Sequence, residues 1–328
     1  MPRSARNDED ISIAPDAELI TRFAADLDAL VAPGAKLGVA VSGGPDSLAL
    51  LLLAAGARPG MVEAATVDHA LRPQSRAEAE MVAAVCTRLG VPHSILTIAW
   101  PKAPSSNLQA QAREKRYELL GQWAAERGIA AVATAHHLDD QAETLLMRLA
   151  RGAGIGGLGS VRTRRPLAEG ADLIRPLLGW RKSELIALVK AAGLKPVDDP
   201  SNRDPRHDRV RMREWLKRAD WAEPERIAAS AAWLDEADQA LDWALKPLAE
   251  TRITRADGVL TIDPGDVPRE LQRRLLLTAF AELGAPRPRG PELTRAMDVL
   301  AKGGVTTLGG LKLQGGATWR LRLAPPRR

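Results

Sequence analysis

An alternation of short apolar runs with longer amphipathic segments over the first two hundred residues most constrains how this chain can fold. Four short runs predict strands, at residues 36–41, 61–67, 93–100 and 129–134. Four longer segments predict helices, at residues 46–55, 76–89, 107–127 and 140–151. This order is typical of parallel strands joined by right-handed helical crossovers, so we predict a doubly wound parallel α/β sheet.

The pattern changes after about Trp215, which predicts a second domain. Residues 225–248 and 268–283 have helical patterns with no strand between them, and residues 306–323 predict a small β-hairpin. We therefore expect an α/β domain over residues 1–215 and a mainly helical domain, ending in that hairpin, over residues 216–328. Apolar neighbours at helical positions favour a place in the core, rather than a base-stacking role, for Trp221, Trp233 and Trp243.

Composition excludes several classes of protein. The 328 residues are 45% hydrophobic and 27% charged, as in globular proteins. The sequence has no run of about 18 uncharged apolar residues, and its first ten residues lack the apolar segment of a signal peptide. The single cysteine, Cys86, cannot form an internal disulfide, a CxxC redox pair or a thiolate metal site. We expect a cytoplasmic protein with no membrane partner; the sequence does not indicate an oligomeric state.

The distribution of charge is more informative than its sum. The chain has 46 basic and 41 acidic residues, a net charge of +5. Basic residues are concentrated at 162–165 and 206–213. Such clusters are typical of nucleic-acid surfaces and also of solvated basic faces, and both interpretations stay open.

A glycine-containing loop from Ser42 to Ser47 joins the first predicted strand to its helix. Gly43 and Gly44 let the backbone turn tightly against a ligand, and the N–H groups at the helix start favour phosphate. The two serine hydroxyls can donate to phosphate oxygens, and the carboxylate of Asp46 suits Mg²⁺. A plain strand-to-helix turn with a helix cap is the alternative.

Other phosphate-binding patterns fit less well. Neither GxxxxGKS nor GxxxxGKT occurs, which excludes a Walker-type loop. Residues 154–159 match GxGxxG but follow a predicted helix rather than a strand, so a dinucleotide-binding function does not fit them. A flexible loop that covers the substrate, or a linker, is the expectation for this segment.

The loop resembles the SGGxDS motif of the N-type ATP pyrophosphatases, the PP-loop enzymes. The resemblance implies that ATP is bound by Ser42, Gly43, Gly44, Pro45, Asp46 and Ser47. Five further segments, in family order, resemble the tRNA(Ile)-lysidine synthetases, at residues 67–72, 112–117, 134–144, 151–158 and 199–204. The resemblance covers roughly residues 36–215. It implies that the domain over residues 1–215 is catalytic, and we expect the domain over residues 216–328 to contact the tRNA.

This resemblance implies an ATP-dependent ligase that acts on tRNA(Ile) with a CAU anticodon. In the family, the C2 oxygen of the wobble cytidine attacks the α-phosphorus of ATP and pyrophosphate leaves. The ε-amine of free L-lysine then displaces AMP and leaves lysidine. The implied cofactor is Mg²⁺, held by Asp46. Longer family members carry an additional C-terminal domain, which we expect this chain to lack.

Two other functions are alternatives. A tRNA thiolase or another PP-loop adenylating enzyme is one, but thiolation needs a persulfide-carrying cysteine, paired cysteines or an iron–sulfur cluster, and the chain offers Cys86 alone. The other is a non-catalytic module that binds ATP or RNA, against which the intact loop argues.

Two arginines form a second candidate site. Arg113 and Arg116 are three residues apart on one helix face, and neither has an acidic partner at helical spacing. Neighbouring guanidinium groups repel each other unless an anion lies between them, and phosphate suits their forked donors; a tertiary salt bridge is the alternative. The resemblance implies contacts with the ATP phosphates or with tRNA, and we assign Arg113 to catalysis and Arg116 to tRNA.

Asp140 and Glu143 also lack a lysine or arginine partner at helical spacing. They can be an ordinary capping pair, or, as the resemblance implies, catalytic carboxylates that bind the amines of the substrate lysine. His136 and His137 precede them at a strand end, and without a third soft ligand zinc fits poorly.

Asp68 and His69 end the second predicted strand, where doubly wound folds place groups that contact a nucleotide. We assign both to ATP binding, with a hairpin or cap role as the alternative.

Residues 199–213 resemble the family signature DxSNxDxxYxRNxIR. Matching positions are Asp199, Ser201, Asn202, Asp204, Arg209 and Arg213. His207 stands in the aromatic position and Val210 in the asparagine position, and the effect of these departures stays open. We assign tRNA binding to Arg151, Arg209, Arg211 and Arg213, together with Arg116.

Overall fold

The computed structural model of this chain describes residues 14–70, 74–100, 108–197, 204, 206 and 208–324. The chain forms two compact units. The first comprises Met1–Met147 with Ser160–Ala229, and the second comprises Arg148–Gly159 with Ser230–Arg328. The second unit is therefore discontinuous in sequence.

The first unit contains a six-stranded sheet flanked by helices. Its elements, with the short α6 of the second unit, are α1 (Ala17–Asp28), β1 (Leu37–Ala40), α2 (Pro45–Ala57), β2 (Val62–Asp68), α3 (Gln74–Arg88), β3 (His93–Thr97), α4 (Leu108–Arg127), β4 (Ala131–Ala133), α5 (Leu138–Ala150), α6 (Ile155–Leu158), β5 (Arg164–Ala168), β6 (Ala171–Ile174), α7 (Lys182–Ala191) and α8 (Asp208–Leu216). The strand order is β3-β2-β1-β4-β6-β5, and every pairing is parallel except β5 with β6. The predicted doubly wound α/β sheet is confirmed, and the β5–β6 hairpin extends it at one edge.

The sheet is covered on both faces because side chains alternate along each strand. Leu37 and Val39 of β1 belong to a buried cluster with residues of α1, α2 and α7. Ala40 points to the other face, into a cluster with Trp123 of α4. Gly38 lies on that second face, where an added Cβ would stand 2.8 Å from the Trp123 ring. A glycine is therefore required at the centre of β1, because α4 packs directly against the strand.

We expect Gly38→Ala to lower the free energy of unfolding by about 1–3 kcal/mol, because the new methyl group overpacks the contact with Trp123. Urea unfolding followed by tryptophan fluorescence measures the change. The matched control is Gly179→Ala, where an added Cβ meets nothing within 4 Å. Equal stability of the Gly38→Ala variant and the parent chain would contradict this packing.

The second unit combines helices with an antiparallel sheet. Its elements are α9 (Pro224–Arg252, which begins in the first unit), β7 (Ile253–Ala256), β8 (Val259–Ile262), α10 (Arg269–Glu282), α11 (Gly290–Ala301), β9 (Val305–Leu308), β10 (Leu311–Gln314) and β11 (Trp319–Leu323). The sheet order is β7-β8-β11-β10-β9. The prediction that no strand separates the helices is wrong, since β7 and β8 follow α9. Their local pattern is short, and β8 pairs with β11 from the far end of the chain, a contact that local periodicity cannot show.

Three tryptophans that the sequence favours as core residues are exposed. Trp221, Trp233 and Trp243 are 73%, 67% and 76% exposed, so the prediction that they are core residues is wrong. Leu245 of α9 packs against the core of the second unit. Trp243 precedes it by two positions, about 200° around the helix, and so lies on the opposite face. Helical periodicity identifies a face but not which face finds a partner.

The glycine-rich segment before Ser160 is packed rather than open. It forms α6, and an added Cβ at Gly159 would lie 2.8 Å from Asp235 of α9. Arg148 Nη1 donates to the carbonyl oxygen of Gly159 at 2.6 Å. The glycines thus permit close approach to α9, which differs from the flexible substrate-covering loop expected from the sequence.

No helix within the described ranges has both the length and the apolar character needed to cross a membrane.

Candidate active site at the carboxyl ends of strands β1 and β4

The two central strands of the first unit determine where a ligand fits. β1 pairs in parallel with β2 on one side and with β4 on the other, so the connections leaving β1 and β4 diverge at one edge of the sheet. Open α/β sheets bind ligands at this switch point. Residues 42–47 follow β1, and residues 134–140 follow β4.

The loop after β1 is fixed by its own serines and by a contact with a distant segment. The Ser47 hydroxyl accepts from the Ser42 N–H at 3.1 Å and donates to the Gly44 carbonyl at 3.0 Å. Gly43 has φ +82°, and its carbonyl accepts from the Val197 N–H at 2.9 Å. The Gly44 position supplies no side-chain cap to α2. The loop is thus rigid, and the start of α2 is suited to an anion.

Asp46 lies in the first turn of α2 and faces the segment after β4. Its Oδ2 is 3.6 Å from His137 Nε2 and 3.9 Å from Lys182 Nζ. Burial on its own raises the pKa of Asp46, but the His137 ring, Lys182 and Arg213 outweigh it and hold that pKa below its usual value. Asp46 Oδ1 is buried without a hydrogen-bond partner. The carboxylate is therefore charged and has one oxygen available to a ligand.

His137 lies at the centre of three carboxylates. It is 1% exposed, with Nε2 3.6 Å from Asp140 Oδ2 and Nδ1 3.7 Å from Asp139 Oδ2, in addition to the Asp46 contact. Burial lowers the pKa of His137, but these three carboxylates outweigh burial and raise it. The carboxylates thus make protonation of the His137 ring easier than in a free imidazole.

The amino end of α7 provides further charge that the sequence did not reveal. Asp139 accepts from the Lys182 N–H at 2.8 Å and lies 3.4 Å from Arg181. These contacts bring Lys182 to Asp46. The sequence did not indicate Lys182 as a site residue, because no motif around the start of α7 links that segment to a site.

His136 points away from His137 toward a different group of residues. Its Nδ1 lies 3.1 Å from the Thr134 hydroxyl. Burial, with the positive charges of Arg175, Arg116 and Arg113, lowers the pKa of His136 to about 4, against the opposing effect of Asp140. The two adjacent histidines thus have opposite electrostatic environments, and His136 is neutral at pH 7.

Glu143 is engaged by basic residues of α8. It is 1% exposed, and Arg213 Nε donates to its Oε1 at 2.8 Å while Arg209 Nε lies 3.4 Å from Oε2. Arg209 also donates to the Thr144 hydroxyl at 3.2 Å. Burial lowers the pKa of Arg213, but Glu143 outweighs burial and raises it. These ion pairs hold α8 against α5. The two carboxylates of the predicted lysine site therefore differ in surroundings, because Glu143 is paired with arginines and Asp140 lies beside His137.

We expect Glu143→Gln to lower the free energy of unfolding by about 2 kcal/mol, because Arg213 and Arg209 lose their buried counter-charge. Differential scanning fluorimetry and urea titration measure the loss. Exposed Glu114→Gln on α4 is the matched control and should leave stability unchanged. A Glu143→Gln variant as stable as the parent would show that α8 does not depend on this ion pair.

The remaining predicted residues fall at several places. Asp68 accepts from the Ala70 N–H at 2.8 Å and the Ser75 hydroxyl at 2.7 Å; these bonds outweigh burial and lower its pKa. Asp68 is therefore hydrogen-bonded to neighbouring residues, and the His69 carbonyl accepts from Trp100 Nε1. Their assignment to ATP binding stays a prediction. Arg211 is paired with Asp208 on the exposed side of α8.

The residues assigned to tRNA binding and the remaining signature positions are divided between the two units and the segments outside the described ranges. Arg151 follows α5 and belongs to the second compact unit, whereas Arg209, Arg211 and Arg213 belong to the first. Asp199, Ser201, Asn202 and His207, with Arg72 of the segment after β2, lie outside the described residues. Val210 is in α8.

Comparison with known proteins identifies the family. The PP-loop domain family matches residues 17–219. A tRNA(Ile)-lysidine synthase from Novosphingobium aromaticivorans is 47% identical over 312 residues, covering 94% of each chain. One from Zymomonas mobilis is 44% identical, covering 89% of this chain and 90% of its own length. This chain belongs to the tRNA(Ile)-lysidine synthase family of PP-loop proteins.

A solved structure supports the fold of the family's catalytic unit. The U34-tRNA thiolase NcsA from Methanococcus maripaludis, with its [4Fe-4S] cluster, matches 66% of this chain and 79% of its own, with a TM-score of 0.54 and 18% identity. At that identity the likeness concerns the fold alone.

The lone cysteine gives a direct test against thiolase-like chemistry. Burial raises the pKa of the Cys86 thiol to about 12, and the side chain is fully buried in the sheet core. The thiolate is the reactive form, so we expect native protein not to react with a colorimetric disulfide reagent at pH 8. After unfolding in guanidinium, one thiol per chain should react. Rapid labelling of the native chain would contradict this burial.

Proposed function

We propose that this chain ligates L-lysine to C2 of the wobble cytidine of tRNA(Ile) with a CAU anticodon, in an ATP-dependent reaction that releases AMP and pyrophosphate. The observation that carries the proposal is the meeting of Asp46 with the carboxylates Asp139 and Asp140 around His137, directly beside the PP-loop. Family membership supports the same reaction.

The PP-loop is suited to the phosphates of ATP. Its backbone N–H groups at the start of α2 and the hydroxyl of Ser42 favour phosphate oxygens, and Lys182 adds a positive charge near Asp46. These groups would stabilise the negative charge that develops on departing pyrophosphate.

The residues present fit Mg²⁺ held through Asp46. Among the side chains described, no group of three or more His, Cys, Asp or Glu could hold a metal by itself. Mg²⁺ commonly uses one or two carboxylates with substrate phosphates and water, and the unpaired Asp46 Oδ1 meets that need. When bound, Mg²⁺ neutralises phosphate charge.

Asp140 is the better placed of the two predicted carboxylates for the amine of lysine. Its contacts are with the His137 backbone N–H at 3.3 Å and the His137 ring, whereas Glu143 is held by two arginines. A carboxylate beside the attacking amine would orient it, and the amine must lose a proton to attack. The role of Glu143 in lysine binding stays a prediction, alongside its role in fixing α8.

To react, the wobble cytidine of the tRNA must unstack from its neighbouring bases. In our proposal the cytidine reaches the sheet edge between Asp46 and Arg113, and its C2 oxygen attacks the α-phosphorus as the bond to pyrophosphate breaks. The lysine ε-nitrogen then forms the bond to C2 as the bond to AMP breaks. Recognition of an unstacked base is typical of proteins that read single-stranded RNA loops.

We expect Asp46→Asn to reduce incorporation of labelled lysine into tRNA(Ile) by about a hundredfold or more, because one preorganised charge at the reacting phosphates is lost. The assay contains ATP and Mg²⁺ and compares tRNA(Ile) bearing CAU with methionine tRNA. Only the former should be labelled.

The control is Asp266→Asn, an exposed carboxylate of the second unit that should leave incorporation unchanged. Release of pyrophosphate without lysine incorporation would keep the adenylation step but contradict the lysine assignment. Saturable tRNA binding with no turnover would instead indicate a binding module.

A further inference from the structure

Four arginines converge at one place in the first unit. Arg113 and Arg116 come from α4, Arg165 from β5, and Arg175 directly follows β6. They surround Tyr117, with Arg165 Cζ 4.5 Å and Arg113 Cζ 5.1 Å from the centre of its ring. Three separate elements thus place positive charge around one aromatic side chain.

No negative charge among the described side chains pairs with this arginine cluster. Among the residues that the structure describes, no carboxylate lies within salt-bridge distance of any of the four. Elsewhere in the chain, inward-facing arginines are paired: Arg274 with Asp238 and Asp242, and Arg213 with Glu143. Like charges that are partly withdrawn from water repel each other strongly, so an unpaired cluster of this size is unfavourable without an anion.

Arg175 is the most buried member. It is 5% exposed, its Nη1 donates to the Arg162 carbonyl, and its Nε is buried with no hydrogen-bond partner. An unsatisfied donor on a buried charged group carries a large desolvation cost. The face of Tyr117 offsets part of the repulsion for Arg165 and Arg113 through cation–π contact, whereas Arg175 Nε is left without a hydrogen-bond partner.

The titration of the surrounding groups agrees with a strong positive potential. Burial lowers the pKa of the Arg175 guanidinium, and Arg165 and Arg113 add to that effect against Tyr117. Burial raises the pKa of Tyr117, but Arg113, Arg116 and Arg175 outweigh it and lower that pKa.

The cluster is adjacent to the candidate active site. Ile174, just before Arg175, pairs with Ala133 of β4, so Arg175 and the His136–His137 segment leave neighbouring parallel strands at the same edge. His136 lies within electrostatic reach of Arg175, Arg116 and Asp140. An anion held by the cluster would therefore belong to a substrate at that site.

We propose that Arg175, Arg165 and Tyr117, with Arg113 and Arg116, form a phosphate-binding site beside the candidate active site. This inference rests on the proposed function for its ligand, which is a phosphate group of ATP or of the RNA backbone. Phosphate matches the cluster because it is a multiply charged anion with several acceptor oxygens, to which forked guanidinium donors bind from several directions.

The first test uses inorganic pyrophosphate as the probe. We expect pyrophosphate to raise the Tm of the parent chain relative to sodium chloride at equal ionic strength, since a ligand that binds only the folded chain stabilises it. Arg175→Gln should lose most of this increase and, in the absence of phosphate, be at least as stable as the parent because repulsion is relieved. The matched control, Arg164→Gln, removes an exposed arginine of β5 that is paired with Asp172, and should keep the response.

The second test separates the two sources of phosphate. The Kd of ATP is measured without tRNA, and the Kd of tRNA without ATP, for the parent, Arg175→Gln and Arg175→Lys. A loss of at least tenfold confined to ATP assigns the site to the nucleotide, and a loss confined to tRNA assigns it to the RNA backbone; each supports the proposal.

Unchanged Kd values for both ligands, with an unchanged pyrophosphate response, would overturn the phosphate site. If Arg175→Gln fails to fold, Arg175→Lys keeps the charge but removes the fork, and its Kd values give the same decision. Failure of the proposed ligation is distinguishable, because the parent chain would then bind phosphate without incorporating lysine.

Discussion

The parallel pairing of β1 with β4 is the constraint on which the rest of the site depends. The two strands are distant in sequence, yet their carboxyl ends meet at one edge of the sheet. That pairing brings Asp46 of the PP-loop to 3.6 Å from His137 and, through α7, to Lys182. Parallel strands need long crossovers, so the helices that bury the sheet also supply the site residues. Stability and function therefore share the same connections.

Charge around this edge is divided into two regions. The acidic region surrounds His137 and consists of Asp46, Asp139 and Asp140. The basic region surrounds Tyr117 and consists of Arg113, Arg116, Arg165 and Arg175. His136 and Asp140 lie where the two regions meet. An adenylating ligase must hold phosphates and a cationic amine at once. In our proposal, the acidic region holds the amine and the basic region holds the phosphates, and their separation limits mutual neutralisation.

The fold class and part of the candidate site could be predicted from the sequence, because local residue patterns indicate them. The SGGPDS loop, the alternating strands and helices, and the order of the motifs predicted the fold class and the position of Asp46. Non-local contacts were not accessible: β5 and β6, the partners of Glu143, and the approach of Lys182 all depend on segments brought together by the sheet. Arg175 had a weak signal, as a charged residue within an otherwise apolar run after Asp172. The exposure of Trp243 shows the same limit, because periodicity gives a helix face but not its neighbour.

From the sequence alone came the family, the α/β class of the first unit and the candidate phosphate loop at residues 42–47. Each depends on local patterns that impose a specific backbone or side-chain requirement and can be recognised without knowing which segments pack together. The tertiary structure alone decided which charges meet. It paired Glu143 with Arg213, left Arg175 Nε without a partner among the described residues and placed His137 among three carboxylates. Electrostatic energy depends on distance and burial, and neither quantity exists until the strands and helices have packed.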